Sequence, residues 1–320
     1  MSAIYIPPNG LYFRLLGYAS QRVLFSRTHA DPQVWHHPVD DENEIGDQYF
    51  TLIHGTGSRQ GLYAIKGKAT GKVLFSRPTP DPRVGHIDGD GTHNDNWFKL
   101  EPGKGQYAKM FRLLCPHTNT VIFSRVGIDP EVSNFPGPPD LIHPDHHFSF
   151  RFEQMQIDKI EYDLQLGQII SSTPMILANQ TLTNNSGLEQ EMHFELNRTE
   201  THTSTFEYGV GFTISIGATT KAGIPFFAEA ELRIDTSFTN DWRFGQSNEF
   251  SKSYTASFPV RAGPHMTVRA VSTVNKGELE VPYTIFLSSK SSGVKVETKG
   301  RWRGVSTWDL RHTISTVEQE

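Results

Sequence analysis

The sequence predicts an all-β protein in two parts, and three observations carry that reading. The segments Val23-Leu24-Phe25-Ser26-Arg27, Val73-Leu74-Phe75-Ser76-Arg77 and Val121-Ile122-Phe123-Ser124-Arg125 recur with Arg-to-Arg spacings of 50 and 48 residues. The recurrence stops after Phe152. Beyond it, apolar and polar residues alternate with period two, as in Ile157 to Tyr162 and Glu189 to Leu196, without a helical period. Self-similarity at a fixed period outweighs any local propensity.

Each repeat places Asp-Pro four residues after its Arg, at Asp31-Pro32, Asp81-Pro82 and Asp129-Pro130. An aromatic lies fourteen residues before that Arg, at Phe13, Tyr63 and Phe111. The repeats close on an acid followed by aromatic or imidazole rings: Asp47-Gln48-Tyr49-Phe50, Asp95-Asn96-Trp97-Phe98 and Asp145-His146-His147-Phe148. Ala69-Thr70-Gly71-Lys72, between two apolar runs, predicts a hairpin turn. Pro and Gly crowd the stretch before the closing acid, so the pattern reads strand, turn, strand, loop, strand. Three such units, about 10–57, 58–105 and 106–152, predict a β-trefoil over 1–152. A propeller would need more blades.

Phe25, Phe75, Phe123, Phe50, Phe98 and Phe148 recur as core. What recurs besides core is polar and planar, the chemistry that bonds vicinal hydroxyls of a sugar while a flat apolar face covers its C–H side. Carbohydrate contacts are expected from Arg27, Trp35, His37, Asp47 and Gln48 in repeat 1. Repeat 2 offers Arg77, Asp88, Asp95, Asn96 and Trp97; repeat 3 offers Arg125, Asn134, Asp145 and His146, with its loop changed by Pro136-Gly137-Pro138-Pro139. The alternative is that each Arg and Asp only pair with one another. Shallow sites bind weakly one at a time, and copies on one body raise avidity on a glycan-coated surface.

Composition narrows the partners. The net charge is −5, with no basic stripe to neutralise phosphates, which argues against nucleic acid. The mean hydropathy is −0.44 and no run reaches the roughly 18 apolar residues of a membrane helix, so a soluble chain is expected. The start, Met1 to Pro8, has neither a basic n-region nor an apolar h-region, and no ordinary signal peptide is expected. Cys115 is the one cysteine, which rules out an internal disulfide and a thiolate metal cluster. His143, His146 and His147 could ligate a metal, but His146 and His147 fall in the strand-closing slot, and Asp88-Gly89-Asp90-Gly91 lacks the remaining ligands of a calcium loop. No metal and no cofactor are expected.

The second part, 153–320, is expected to be a domain of long strands. From 206 to 218 the even positions are Phe206, Tyr208, Val210, Phe212, Ile214, Ile216 and Ala218, while the odd positions are small or polar. After Thr219 to Gly223 the alternation resumes with Phe226, Ala228, Ala230, Leu232 and Ile234 against Glu229, Glu231, Arg233 and Asp235. One amphipathic hairpin over about 206–238 is predicted. Thirteen residues at about 3.3 Å each, tilted by about 40°, give roughly 33 Å of height, enough to cross an apolar bilayer band. An ordinary sandwich hairpin alternates in the same way. A lone hairpin leaves edge N–H and C=O groups unpaired in lipid, so crossing requires several protomers to close a barrel.

The chain resembles the haemolytic mushroom lectins, whose C-terminal module is similar to aerolysin-type β-pore-forming toxins. The resemblance rests on Ile4-Tyr5-Ile6-Pro7-Pro8, Gly10 to Leu16, Gly71 to Arg77, Ile157 to Leu164, Thr203 to Phe206, Val260 to Pro264, Ala270 to Val274 and Arg303 to Thr313. It implies a trefoil lectin followed by an elongated aerolysin-like β-sandwich pore-forming module. It implies binding of galactose-type glycans such as lactose or N-acetyllactosamine, haemagglutination, homo-oligomers, and haemolysis by a pore at the extracellular face of target membranes, with 206–238 as the inserting hairpin. A non-lytic agglutinin whose second domain only assembles copies is the alternative. An enzyme is disfavoured, because the second part offers no carboxylate pair or nucleophile constellation.

Overall fold

The computed structural model describes residues 4–40, 43, 45–137, 143–208, 219–237 and 241–317. Each repeat contributes four strands rather than the three expected. Repeat 1 supplies β1 (Phe13–Gly17), β2 (Arg22–Phe25), β3 (Trp35–Pro38) and β4 (Phe50–His54); repeat 2 supplies β5 (Tyr63–Gly67), β6 (Val73–Ser76), β7 (Val84–Ile87) and β8 (Lys99–Pro102). Repeat 3 supplies β9 (Phe111–Cys115), β10 (Thr120–Ser124), β11 (Val132–Pro136) and β12 (Phe148–Phe152). The additional strand of each unit, β3, β7 or β11, lies in the Pro- and Gly-rich stretch, where a buried Val at 34, 84 and 132 anchors the segment that pairs with the preceding strand.

The pairing closes on itself. β1 pairs with β4, β4 with β5, β8 with β9, β9 with β12 and β12 with β1. A bridge from Tyr63 to Phe98 completes the ring between β5 and β8. Its equivalents are the pairs Phe13 with Phe50 and Phe111 with Phe148, so the repeated aromatics staple the barrel at three symmetric points. Inside, Phe13, Phe50, Phe98, Phe111, Phe148, Phe150 and Phe152 are fully buried. The hairpins β2–β3, β6–β7 and β10–β11 cap the barrel. This is a β-trefoil.

A polar ring joins the repeats. His36, His86 and Asn134 occupy one register, opposite Leu24, Leu74 and Ile122. His36 bonds Ser124 Oγ at 2.7 Å and Glu131 Oε2 at 2.9 Å, both from repeat 3. His86 bonds Ser26 Oγ at 2.5 Å and the Asp31 carboxylate, both from repeat 1. Asn134 donates to Ser76 Oγ at 2.9 Å in repeat 2. Burial holds both histidines below their ordinary value, opposed by their carboxylates and assisted by Arg22 beside His36 and Lys72 near His86. The folded state therefore prefers the neutral rings, and the unfolded chain takes up protons first as pH falls. Their stabilisation is complete above the unfolded value of about 6.5 and is lost as pH drops toward the depressed folded values. The melting temperature is expected to fall from pH 7 to pH 5. The variant His86→Asn, which copies Asn134, should flatten that slope; an unchanged slope would remove His86 from the account.

The chain separates into two compact units, one of residues up to Lys159 with Ile285–Thr298, the other of Ile160–Glu207, Thr219–Thr284 and Lys299 onward. Ten strands follow the trefoil: β13 (Met155–Tyr162), β14 (Gln168–Thr183), β15 (Gln190–Tyr208), β16 (Thr219–Thr220), β17 (Ile224–Ala228), β18 (Glu231–Asp235), β19 (Trp242–Arg243), β20 (Ser247–Ala262), β21 (Thr267–Ser289) and β22 (Lys295–Val317). The long strands order as β13-β21-β22-β15-β20, with β14 on β21. Leu177 of β14 and Val268, Ala270 and Val274 of β21 pack against Phe194 and Leu196 of β15 and Tyr254 and Val260 of β20. The alternating pattern thus buries one face of each strand pair in a β-sandwich. In the first unit, Glu153 fastens the turn between β21 and β22 to the trefoil. It is 2 % exposed and accepts from the Tyr12 N–H at 3.1 Å, from Ser292 Oγ at 2.9 Å and from Ser291 Oγ.

Candidate functional site

The Arg of each repeat follows a capping strand and lies over the Phe two residues before it. The guanidinium sits 3.9 Å from the Phe25 ring at Arg27, 3.6 Å from Phe75 at Arg77 and 4.4 Å from Phe123 at Arg125. Two of the three then meet their closing acid: Arg27 to Asp47 at 2.6 Å and Arg77 to Asp95 at 3.1 Å. Both contacts are ion pairs bent away from hydrogen-bond alignment, and Asp47 Oδ1 and Asp95 Oδ1 are buried and accept no hydrogen bond from the described residues. In repeat 3 the Arg125 Nε–H donates instead to the Pro130 carbonyl at 3.1 Å, and the Asp145 carboxylate stands 3.8 Å from His146.

In repeat 2 these residues line an open groove of about 810 Å³. Arg77, Pro78 and Thr79 form one wall and His93, Asn94 and Asp95 another, with Ile87 between them. His117 and Thr118, from the β9–β10 turn of the next repeat, complete it. Asp95 is presented by a short turn, Asn94–Asn96, fastened from below: Asn96 Oδ1 accepts the His93 N–H at 3.0 Å and Asn96 Nδ2 donates to the Leu74 carbonyl at 3.2 Å. The groove offers planar donors and acceptors beside an apolar surface, the mixture that sugar rings require.

Several expected contacts fall elsewhere. Trp97 is 6 % exposed, packs on Ala64 and Val73, donates its indole N–H to the Gly91 carbonyl at 2.8 Å and carries Arg59 over its ring. It is core and presents no face to a ligand. Gln48 and Asn96 are fully buried beneath their turns. Asn134 Nδ2 donates to the Arg77 and Arg83 carbonyls at 2.9 and 3.2 Å, so it positions Arg77 from behind. His146 is 3 % exposed among Phe123, Phe135 and His143, and burial pushes it down to about 4 against the opposing pull of Asp145. Trp35 is half-buried, while His37 and Asp88 are exposed. His37 shares its register with Ile87 of the groove and with Phe135. The sequence reading missed His93, Asn94, His117 and Thr118. The first two adjoin Asp95; the last two arrive from the following repeat, which only the closed threefold arrangement brings near.

The segment expected to form one long hairpin is paired differently. Val210, Phe212, Ile214 and Ile216 lie outside the described residues. Phe206 is fully buried against Trp242, Phe244 and Tyr283. Tyr208 ends β15, and Thr219–Thr220, expected at the tip, pairs with β19. β17 and β18 form a short hairpin of their own, turning at Glu229 and Ala230, both with positive φ, 50° and 67°. The turn carries neither Gly nor Asn and so escapes the usual signal.

Residues 148–317, more than half of the chain, match the family described as Clostridium epsilon toxin ETX/Bacillus mosquitocidal toxin MTX2. The chain belongs to that family. The fold is therefore a β-trefoil followed by an aerolysin-like ETX/MTX2 β-sandwich. Natterin-1 of Thalassophryne nattereri is 28 % identical over 165 residues, 50 % of this chain and 45 % of Natterin-1, so the chain spans less than half of that relative. Among solved structures, the BEL β-trefoil is 42 % identical over 48 % of this chain and 99 % of its own, with a TM-score of 0.43. The lamprey immune protein is 13 % identical over 99 % of this chain and 98 % of its own, with a TM-score of 0.44.

Within the ETX/MTX2 module, the two-residue turn at 229–230 changes which side chains share a face. Phe226 stands opposite Arg233 and Ala228 opposite Glu231, while Phe227 stands opposite Leu232 and Pro225 opposite Ile234. The expected apolar set is thus divided between two faces, and Ala230 belongs to the turn. Phe227 packs on Trp308 at 5.2 Å between ring centroids, and its N–H donates to Ser306 Oγ at 3.3 Å.

Proposed function

We propose that this ETX/MTX2 protein is a carbohydrate-binding pore former. The trefoil grooves take terminal galactose-type sugars of cell-surface glycans, bound copies assemble, and the 206–238 segment rearranges into membrane-crossing strands. The observation that carries the reading is the joining of a toxin-family module to a trefoil whose repeat-2 groove combines Arg77, Asn94, Asp95 and His117 with Ile87. The partly exposed Arg77–Asp95 pair on the groove wall sets a guanidinium donor beside a carboxylate acceptor, the combination that vicinal sugar hydroxyls bond. The short β17–β18 hairpin supports a conversion: opening its turn and releasing Phe227 from Trp308 restores the continuous alternation that the sequence carries from 224 to 235. Closure into a multi-protomer barrel then pairs every edge N–H and C=O.

Haemolysis with and without lactose tests the two steps together. Red cells are expected to lyse, and excess lactose is expected to suppress lysis and agglutination alike. Agglutination without release of a small dye from glycan-bearing vesicles would instead identify a non-lytic agglutinin.

A further inference from the structure

The threefold repeat is broken at one place in a way that makes a second cavity. Lys99, Glu101, Lys104 and Arg112 occupy positions held by Thr51, Ile53, Thr56 and Ala64 one repeat earlier, and His147 stands where Trp97 and Tyr49 stand in the other two copies. Around Trp97 the space is filled: Ile53 and Ala64 pack with Trp97, Val73 and Leu62. Beside Tyr49 the Arg14 guanidinium stands 5.4 Å from the ring centre, with its Nη1 donating to the Asp40 carbonyl at 2.8 Å.

At the third copy the smaller imidazole stacks flat on Tyr107, 4.1 Å between centroids, and leaves a cavity of about 200 Å³. It is lined by Lys99, Lys104, Arg112, Glu101 and His147. Glu101 accepts from Arg112 Nη2 at 2.6 Å and lies 3.6 Å from Lys99 Nζ. Lys104 has no acidic partner among the described residues. The His147 Nδ1–H donates to the His143 carbonyl at 2.9 Å, and burial with the nearby Arg112 charge keeps the ring neutral. Three cations thus face one carboxylate, and the second imidazole nitrogen is left as an acceptor. Gly103 lets the loop close, since a Cβ there would meet the Tyr107 carbonyl at 2.1 Å.

We propose that this cavity binds the anionic substituent, a sulfate or carboxylate, of an acidic saccharide, with Lys99 and Lys104 pairing the oxyanion and His147 accepting a ring hydroxyl. The site deepens the carbohydrate reading yet occupies a different cavity from the repeat-2 groove, so each can fail separately. Binding of a heparin-derived disaccharide, inorganic sulfate and lactose to the full-length protein is measured by calorimetry, alongside vesicles of phosphatidylserine. The disaccharide is expected to bind, to weaken as salt is raised, and to lose about tenfold or more in affinity in Lys104→Glu. Lactose binding and the melting temperature should not change in that variant. Disaccharide binding that survives Lys104→Glu and Lys99→Glu undiminished would overturn the assignment. So would binding to phosphatidylserine vesicles alone, or to none of the anions. Loss of lactose binding in the parent with disaccharide binding intact would sink the groove and leave this site standing.

Discussion

Replacing Phe212 by Asp is expected to abolish haemolysis while glycan binding and agglutination persist. The position lies midway along the 206–218 alternation, and in a barrel its side chain would meet the hydrocarbon near the bilayer centre. A charge there costs roughly 2 to 4 kcal/mol per strand, less for an acid than for a base. Each protomer of the oligomer contributes one such residue, so the penalties add around the ring. Even at about 1 kcal/mol apiece, a ring of several protomers forfeits enough to lower insertion by about a hundredfold or more. The trefoil does not contain the residue, and its sugar grooves stay as they are. Dye release from glycan-bearing vesicles measures the first quantity and red-cell agglutination the second. Lysis at the parental rate would show that 206–218 does not enter the membrane.

The second large effect belongs to the paired acids. Asp47→Ala together with Asp95→Ala is expected to reduce red-cell agglutination by about a hundredfold or more, while either change alone has a modest effect. Each acid pairs with an Arg that lies over its Phe, and Asp95 lines the repeat-2 groove. Losing one leaves a second copy, and the surface attachment depends on the copies acting together, where linked sites gain about 10² to 10⁴ over one. The pairs are partly exposed, so their removal should alter stability by only about 1 kcal/mol, and a thermal melt checks that the trefoil remains folded. Undiminished agglutination by the double variant would move sugar binding away from repeats 1 and 2.

The trefoil was legible because its information is periodic. Three spaced copies of an apolar run, an Arg, an Asp-Pro and a closing aromatic leave little choice of architecture, and the long alternating strands of the second part declare themselves in the same way. Those features depend on neighbours along the chain. The Arg and Asp of each repeat were legible too, and the alternative that they pair with one another holds in two copies, while in the third Arg125 turns to a carbonyl.

Tertiary structure decided what depends on contacts between distant residues. Trp97 looked like a sugar platform because it is aromatic and adjoins an acid, and the fold spends it on Ala64 and Val73 instead. Asn134 looked like a ligand and proved to hold the Arg77 backbone from the next repeat. His117 and Thr118 carried no signal, since a groove built across a repeat boundary is written in two places at once. The turn at Glu229 and Ala230 was hidden for a different reason: a two-residue turn leaves the alternation of the sequence unbroken while it exchanges the faces. Periodicity specifies that a strand has two faces; only the partner strand specifies which face is buried.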